Sequence, residues 1–210
     1  MALSFLAAKP KLLPPQRADD GAWVYFDGSF KIYFISDDEN GYTSRHVLAQ
    51  GSPHTGAGRK STSTPPYHWH IYQTEIFEVK RGIMCYIFEG EEKKAHTGET
   101  ITIPPGKKHT FWSDPESGED LDVYITVRGG TGPGFDERFL HNLFGYLNSA
   151  YEQGMQPSPF QMLAFMDSSE VALADIPFGL GPWANLILGR WIGKYLLGYE
   201  VDYKVYADSK

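Results

Sequence analysis

Two histidines separated by one residue, His68 and His70, head the most chemically suggestive stretch of the chain, and Glu75 follows five residues later. Residues i and i+2 of a strand point to the same side, so the two imidazoles project together as a two-nitrogen chelate. A turn through Ile71 to Thr74 is expected to return Glu75 beside them. A third imidazole, His109, follows Pro104, Pro105, Gly106 and Lys107, which read as the turn of a second hairpin. Three imidazoles and one carboxylate converging inside a β-barrel would bind a divalent cation. Zinc with four protein ligands makes a closed, structural site, whereas an octahedral ion keeps positions open for substrate, water or dioxygen. Iron(II), manganese(II) and nickel(II) therefore suit a catalytic centre, and zinc a structural one.

Strand alternation extends the site. If Glu75 points inward, so do Phe77 and Val79, and Phe111 accompanies His109. The expected substrate pocket is Tyr67, Tyr72, Phe77, Tyr86 and Phe111, with Trp69, Met84, Phe88 and Tyr33 nearby. Such a wall suits a planar, apolar or phenolic molecule better than a sugar nucleotide, which would call for several cations; the barrel strands offer few candidates, Lys31, Arg45 and Arg128. Of the remaining histidines, His46 can face the barrel as a substrate contact or a support for a ligand. His54 in a Gly/Pro loop, His96 in a polar hairpin and His141 on a helix have no comparable setting.

The elements that must carry these residues are short β-rich runs between Trp23 and Arg128: WVYFD, FKIYFIS, YTSRHVLA, HWHIY, EIFEVKRG, IMCYIFEG, ETITIPPG, HTFWS and LDVYITVR. Many short strands punctuated by Gly, Pro and Asp predict an all-β sandwich or barrel without a parallel α/β unit. Asp27-Gly28, Asn40-Gly41 and Glu89-Gly90 offer the positive φ that tight hairpins need. Residues 1–20, with Pro10, Pro14 and Pro15, read as an extended arm that wraps a barrel or a neighbouring subunit. Residues 21–128 form the barrel and residues 129–210 a helical appendage. In the appendage Asp136 caps a helix through FLHNLFGYL, and Ser158-Pro159 start a second helix. A third runs from about Trp183 to Leu197, where Gly189 and Gly193 allow close approach of another backbone. That helix is expected to pack on the barrel or in a dimer interface, with interfacial membrane contact as the alternative.

Composition narrows the partners. The 210 residues carry 26 acidic and 19 basic side chains, a net charge of -7, whose overall field repels phosphate backbones and anionic lipid; nucleic acid is not an expected partner and a small molecule is. Asn185, Arg190 and Lys194 interrupt the last apolar helix, so no spanning membrane segment is expected. One cysteine, Cys85, cannot form an intramolecular disulfide, and the first residues lack a basic leader, so the expected location is cytoplasmic. The Pro-rich arm and the last helix offer apolar surface for a homodimer.

The spacing His68-x-His70, Glu75, Gly82 and then Gly98, Pro104, Gly106, His109 resembles the two motifs of the cupins. Thr62 stands where the first motif opens on glycine and Ser113 where the second closes on asparagine; neither position is a ligand in that family. The resemblance covers residues 60 to 115 most closely and implies a double-stranded β-helix (jelly-roll) barrel with a metal held by His68, His70, Glu75 and His109, the same residues being catalytic. Its size and added helices resemble cupins of microbial and fungal specialised metabolism. The expected activity is that of a non-haem iron oxygenase, a dioxygenase or related oxidoreductase acting on an aromatic or polyketide-like molecule. A non-redox Lewis-acid isomerase, dehydratase, cyclase or decarboxylase, or a non-catalytic ligand-binding cupin, are the alternatives.

Overall fold

The structure, a computed structural model, describes residues 9–39, 41–130 and 135–207. It divides into two compact units, Gln16–Gly130 and a second formed by Met1–Pro15 with Thr131–Lys210. Strands of the first unit are β1 (Gln16–Arg17), β2 (Trp23–Tyr25), β3 (Phe30–Asp38), β4 (Gly41–Leu48), β5 (His68–His70), β6 (Thr74–Arg81), β7 (Ile83–Phe88), β8 (Glu91–His96), β9 (Thr100–Ile103), β10 (His109–Ser113) and β11 (Leu121–Arg128). They form two antiparallel sheets. One runs β1-β2-β3-β4-β11-β6-β9, and the other contains the order β5-β10-β7-β8. From β5 onward the chain crosses between sheets at most connections, which is the winding of a jelly roll.

The expected closed barrel is corrected in one respect: among the described residues of this unit no ladder joins the two sheets, and the barrel stays open. One edge is β8, whose Glu91, Glu92, Lys93 and Lys94 are exposed, and a charged edge of this kind resists further pairing. Strand β8 itself escaped the sequence reading because only Ala95 in it is buried.

The inner face of the larger sheet follows the pleat. On β4 Tyr42, Ser44, His46 and Leu48 are buried and the intervening residues half-buried. Cross-strand register then builds three rows: Glu75 with Val127 and Tyr42, Phe77 with Ile125 and Ser44, and Val79 with Val123 and His46. Hairpin turns take the expected form at Asp27-Gly28 and Glu89-Gly90, where both residues have positive φ. The third expected turn rests on Asn40, which lies outside the described residues. Gly82, between β6 and β7, has φ +80°, and a Cβ there would sit 2.7 Å from the Asp120 carbonyl oxygen, so both strain and contact require glycine.

In the second unit, α1 (Glu137–Glu152) begins with Asp136 Oδ1 accepting from the Phe139 amide at 2.8 Å. Helix α2 (Pro159–Ser168) has proline in its first turn, but Ser158 makes no side-chain cap; its N–H donates to the Tyr146 hydroxyl. Pro-rich residues join this unit: the Lys11 amide donates to Gln153 Oε1 and the Leu13 amide to Ser149 Oγ. The third helix starts as α3 (Gly181–Ala184) and widens into a π-helix over Asn185–Leu196. It packs on α2, where Gly189 and Gly193 lie against the backbone of Leu163 and Phe160. The close approach read from the glycine spacing is thus made within the helical unit.

Candidate metal centre

His68, His70, Glu75 and His109 come together, all buried, each offering one ligand atom within 4.8 Å of the others. Two ligands on opposite sides of an ion with bonds of about 2.1 Å stand ~4.2 Å apart, so three imidazole nitrogens and a carboxylate oxygen at this spacing fit a divalent cation after small side-chain movements.

The construction differs from two adjacent hairpins. His68 and His70 stand on β5 of the smaller sheet, whereas Glu75 stands on β6 of the larger. Residues Ile71 to Gln73 are therefore a corner that carries the chain to the facing sheet. His109 opens β10 directly opposite His68 in an antiparallel pair. The turn before it reaches back: the Gly106 amide donates to the His70 carbonyl at 2.8 Å. His109 Nε2 lies 2.7 Å and His70 Nε2 3.4 Å from Glu75 Oε2.

Backbone carbonyls set the histidine tautomers. His68 Nδ1 is 2.7 Å from the Pro66 oxygen and His109 Nδ1 is 3.0 Å from the Lys107 oxygen. A carbonyl only accepts, so each Nδ1 carries the proton and each Nε2 is turned to the cluster, the arrangement that orients metal-binding imidazoles. Burial, and then the imidazoles of His109 and His70, hold His68 well below the usual imidazole range, which favours the neutral, ligating form. Burial by itself would raise the Glu75 carboxyl, but the imidazoles of His70 and His109 outweigh it and hold the group well below the ordinary carboxylate range.

Only part of the expected pocket gathers here. The Phe77 ring lies 6.4 Å from His109 and 4.9 Å from Phe111, so these aromatics form the layer next to the ligands. Tyr86 pairs with Phe111 across β7 and β10 on the same sheet face. Tyr67 packs instead against Cys85, Ile87 and Trp112, residues of the opposite face of that sheet. Tyr72 is exposed in the corner after β5. The barrel cations also turn away: Arg45 makes a two-pronged ion pair with Asp122, at 2.9 and 2.7 Å, and Lys31 pairs with Asp20.

His46 lies on the inner face, two rows from Glu75, with Nε2 3.0 Å from Ser44 Oγ and its ring edge-on to Phe30. Burial pushes its pKa down to about 4, against the opposing pull of the Glu75 charge. His54, read as a loop residue, stacks on Phe26 with Nδ1 3.0 Å from Thr62 Oγ1. His96 is exposed, and His141 sits 3.3 Å from Glu137 on α1.

Comparison with known proteins accords with this geometry. The family model described as the Cupin domain matches residues 59–124, which span both histidine motifs. The probable oxidoreductase virH of Hypocrea virens is 31% identical over 194 residues, covering 89% of this chain and 86% of its own length. The chain belongs to the cupin superfamily. Two further relatives of this cupin are the oxidoreductase iacF of Pestalotiopsis fici, 30% identical over 172 residues with coverage of 78% and 82%, and the epoxidase atD of Aspergillus terreus. The latter is 32% identical over 152 residues, which make up 68% of this cupin and 47% of the epoxidase.

Proposed function

We propose that this cupin is a non-haem iron(II) oxygenase acting on a small aromatic or polyketide-like molecule, with the barrel unit catalytic and the location cytoplasmic. The observation that carries the proposal is the approach of four buried ligand atoms to within 4.8 Å from strands of both sheets. The oxidoreductase and epoxidase names of the relatives support redox chemistry and make oxygen insertion the first reaction to test.

His68, His70, Glu75 and His109 would hold the ion. When bound, iron(II) supplies the electrons and open coordination positions that dioxygen chemistry needs. The chain's own residues do the rest. The Pro66 and Lys107 carbonyls keep the histidines in the ligating tautomer, and Glu75 brings the negative charge that offsets part of the cation's. Phe77, buried behind the ligands, excludes water, and half-buried Phe111 gives a planar substrate an apolar face to lie on. One row beyond Ser44, His46 offers a buried polar contact for a substrate hydroxyl or carbonyl.

The test is oxygen uptake by protein loaded with iron(II) under anaerobic conditions and mixed with aerated phenolic and polyketide-like candidates. Substrate-dependent uptake that chelation abolishes is expected. Turnover without oxygen uptake by a zinc-loaded protein would replace the proposal with Lewis-acid chemistry.

A further inference from the structure

Exposed large apolar side chains concentrate in one segment of the helical unit. Phe178, Trp183, Ile187, Trp191, Tyr195 and Leu196 are open to solvent, whereas outside this segment only Phe34, Ile35 and Tyr72 are so among the described residues. Trp183, Trp191 and Tyr195 are 60%, 63% and 69% exposed. Taking ~200 Å² for a large side chain, the patch reaches roughly 800 Å², above the few hundred Å² typical of the largest patch on a soluble monomer.

The cause lies in a spacing of four. Gly181, Asn185, Gly189 and Gly193 face inward; a Cβ on Gly189 would meet the Leu163 carbonyl carbon at 2.5 Å, and one on Gly193 the Phe160 oxygen at 2.9 Å. Asn185 Nδ2 donates to the Val171 carbonyl at 2.6 Å. The helix is held by its narrow side. The same spacing turns Trp183, Ile187, Trp191 and Tyr195 outward. Just before the helix, Phe178 is 97% exposed on a backbone with φ +58°, a conformation that a bulky residue adopts at a cost in strain.

Charge selects the partner locally, against the chain's overall negative field. No acidic residue lies between Asp175 and Glu200, in a chain that carries 26, while Arg190 and Lys194 are exposed on the helix. Arg190 is anchored to Asp167 at 2.6 Å. Tryptophan and tyrosine with polar tips, a lysine able to extend toward phosphate and an absence of carboxylates match a helix lying among lipid headgroups. No described helix is long and apolar enough to cross a membrane. We propose that Phe178–Leu196 docks flat on the surface of an anionic phospholipid bilayer. A second copy of the chain, the expected homodimer, is the competing occupant. Two such faces paired about a twofold axis would enclose Lys194 of both copies with no carboxylate of this segment to meet it, whereas Arg190 already carries Asp167 with it.

The test is co-sedimentation with vesicles of phosphatidylcholine containing about a quarter phosphatidylserine, with tryptophan emission followed in parallel. The whole chain should pellet with the vesicles and its emission shift to the blue, because Trp183 and Trp191 leave water while Trp23 and Trp112 are already buried. Ile187→Glu and Trp191→Glu should each weaken binding about tenfold or more without changing the circular dichroism. A wild-type chain that stays in the supernatant would overturn the proposal, as would variants that bind equally well. Light scattering at twice 23.6 kDa for the wild type and 23.6 kDa for the variants, without lipid, would assign the face to a second copy and overturn it as well.

Discussion

His109 Nε2 lies 2.7 Å from Glu75 Oε2 although the two residues stand on different sheets. The ligand cluster therefore spans the sandwich. Each ligand is fixed by its own ladder, Glu75 between Val127 and Ile103 and His109 against His68. The spacing of the two sheets, set by the apolar rows behind the ligands, thus sets the spacing of the donor atoms.

Glu75→Gln keeps the size of the side chain and one oxygen donor but removes the charge that His70 and His109 face. The variant should fold, by circular dichroism, and bind metal about 10- to 100-fold more weakly in calorimetric titration. An unchanged affinity would exclude Glu75 as a ligand.

Phe77 is fully buried between His109 and Phe111. Phe77→Ala should lower stability by about 3 kcal/mol in urea unfolding, the usual cost of deleting a buried ring. Phe111→Ala, at a half-buried position, should cost less stability and act chiefly by raising the substrate KM.

Much of this was legible in sequence because ligand spacing and strand alternation are local properties: His68-x-His70 reads directly as a chelate, and Phe77 follows Glu75 by the pleat. What escaped was non-local or chemically mute. The corner after His70 leads to another sheet, which no residue type in Ile71–Thr74 announces. Tyr67 precedes β5, so the alternation that places His68 does not extend to it. The Pro66 and Lys107 carbonyls that orient the imidazoles are backbone groups every residue possesses. Strand β8 is a charged edge with one buried residue, and it lacks the apolar alternation by which strands are recognised.

His46 has its pKa pushed down to about 4 by burial, against about 6.5 in the unfolded chain. The unfolded state therefore binds more protons as pH falls through this window, so the stability is present above pH ~6.5 and lost toward pH ~4, by up to about 3 kcal/mol. In metal-free protein, urea unfolding at pH 7 and pH 4.5 should show this loss, and His46→Gln should reduce it. An equal loss in the variant would remove His46 from the account.

Cys85 is buried, and burial followed by the charge of Asp114 pushes its thiol pKa up to about 11. Only the thiolate is nucleophilic, so iodoacetamide at pH 8 should leave the native chain unmodified over the time in which the urea-unfolded chain reacts fully. Rapid labelling of the native chain would contradict the placement of Cys85 against Trp112.

The central claim is most directly tested by elemental analysis of protein purified without chelator, the wild type beside His109→Ala. One iron per chain in the wild type, and little or none in a variant whose circular dichroism is unchanged, is the predicted result. Stoichiometric metal retained by His109→Ala would contradict the four-residue centre and the chemistry assigned to it.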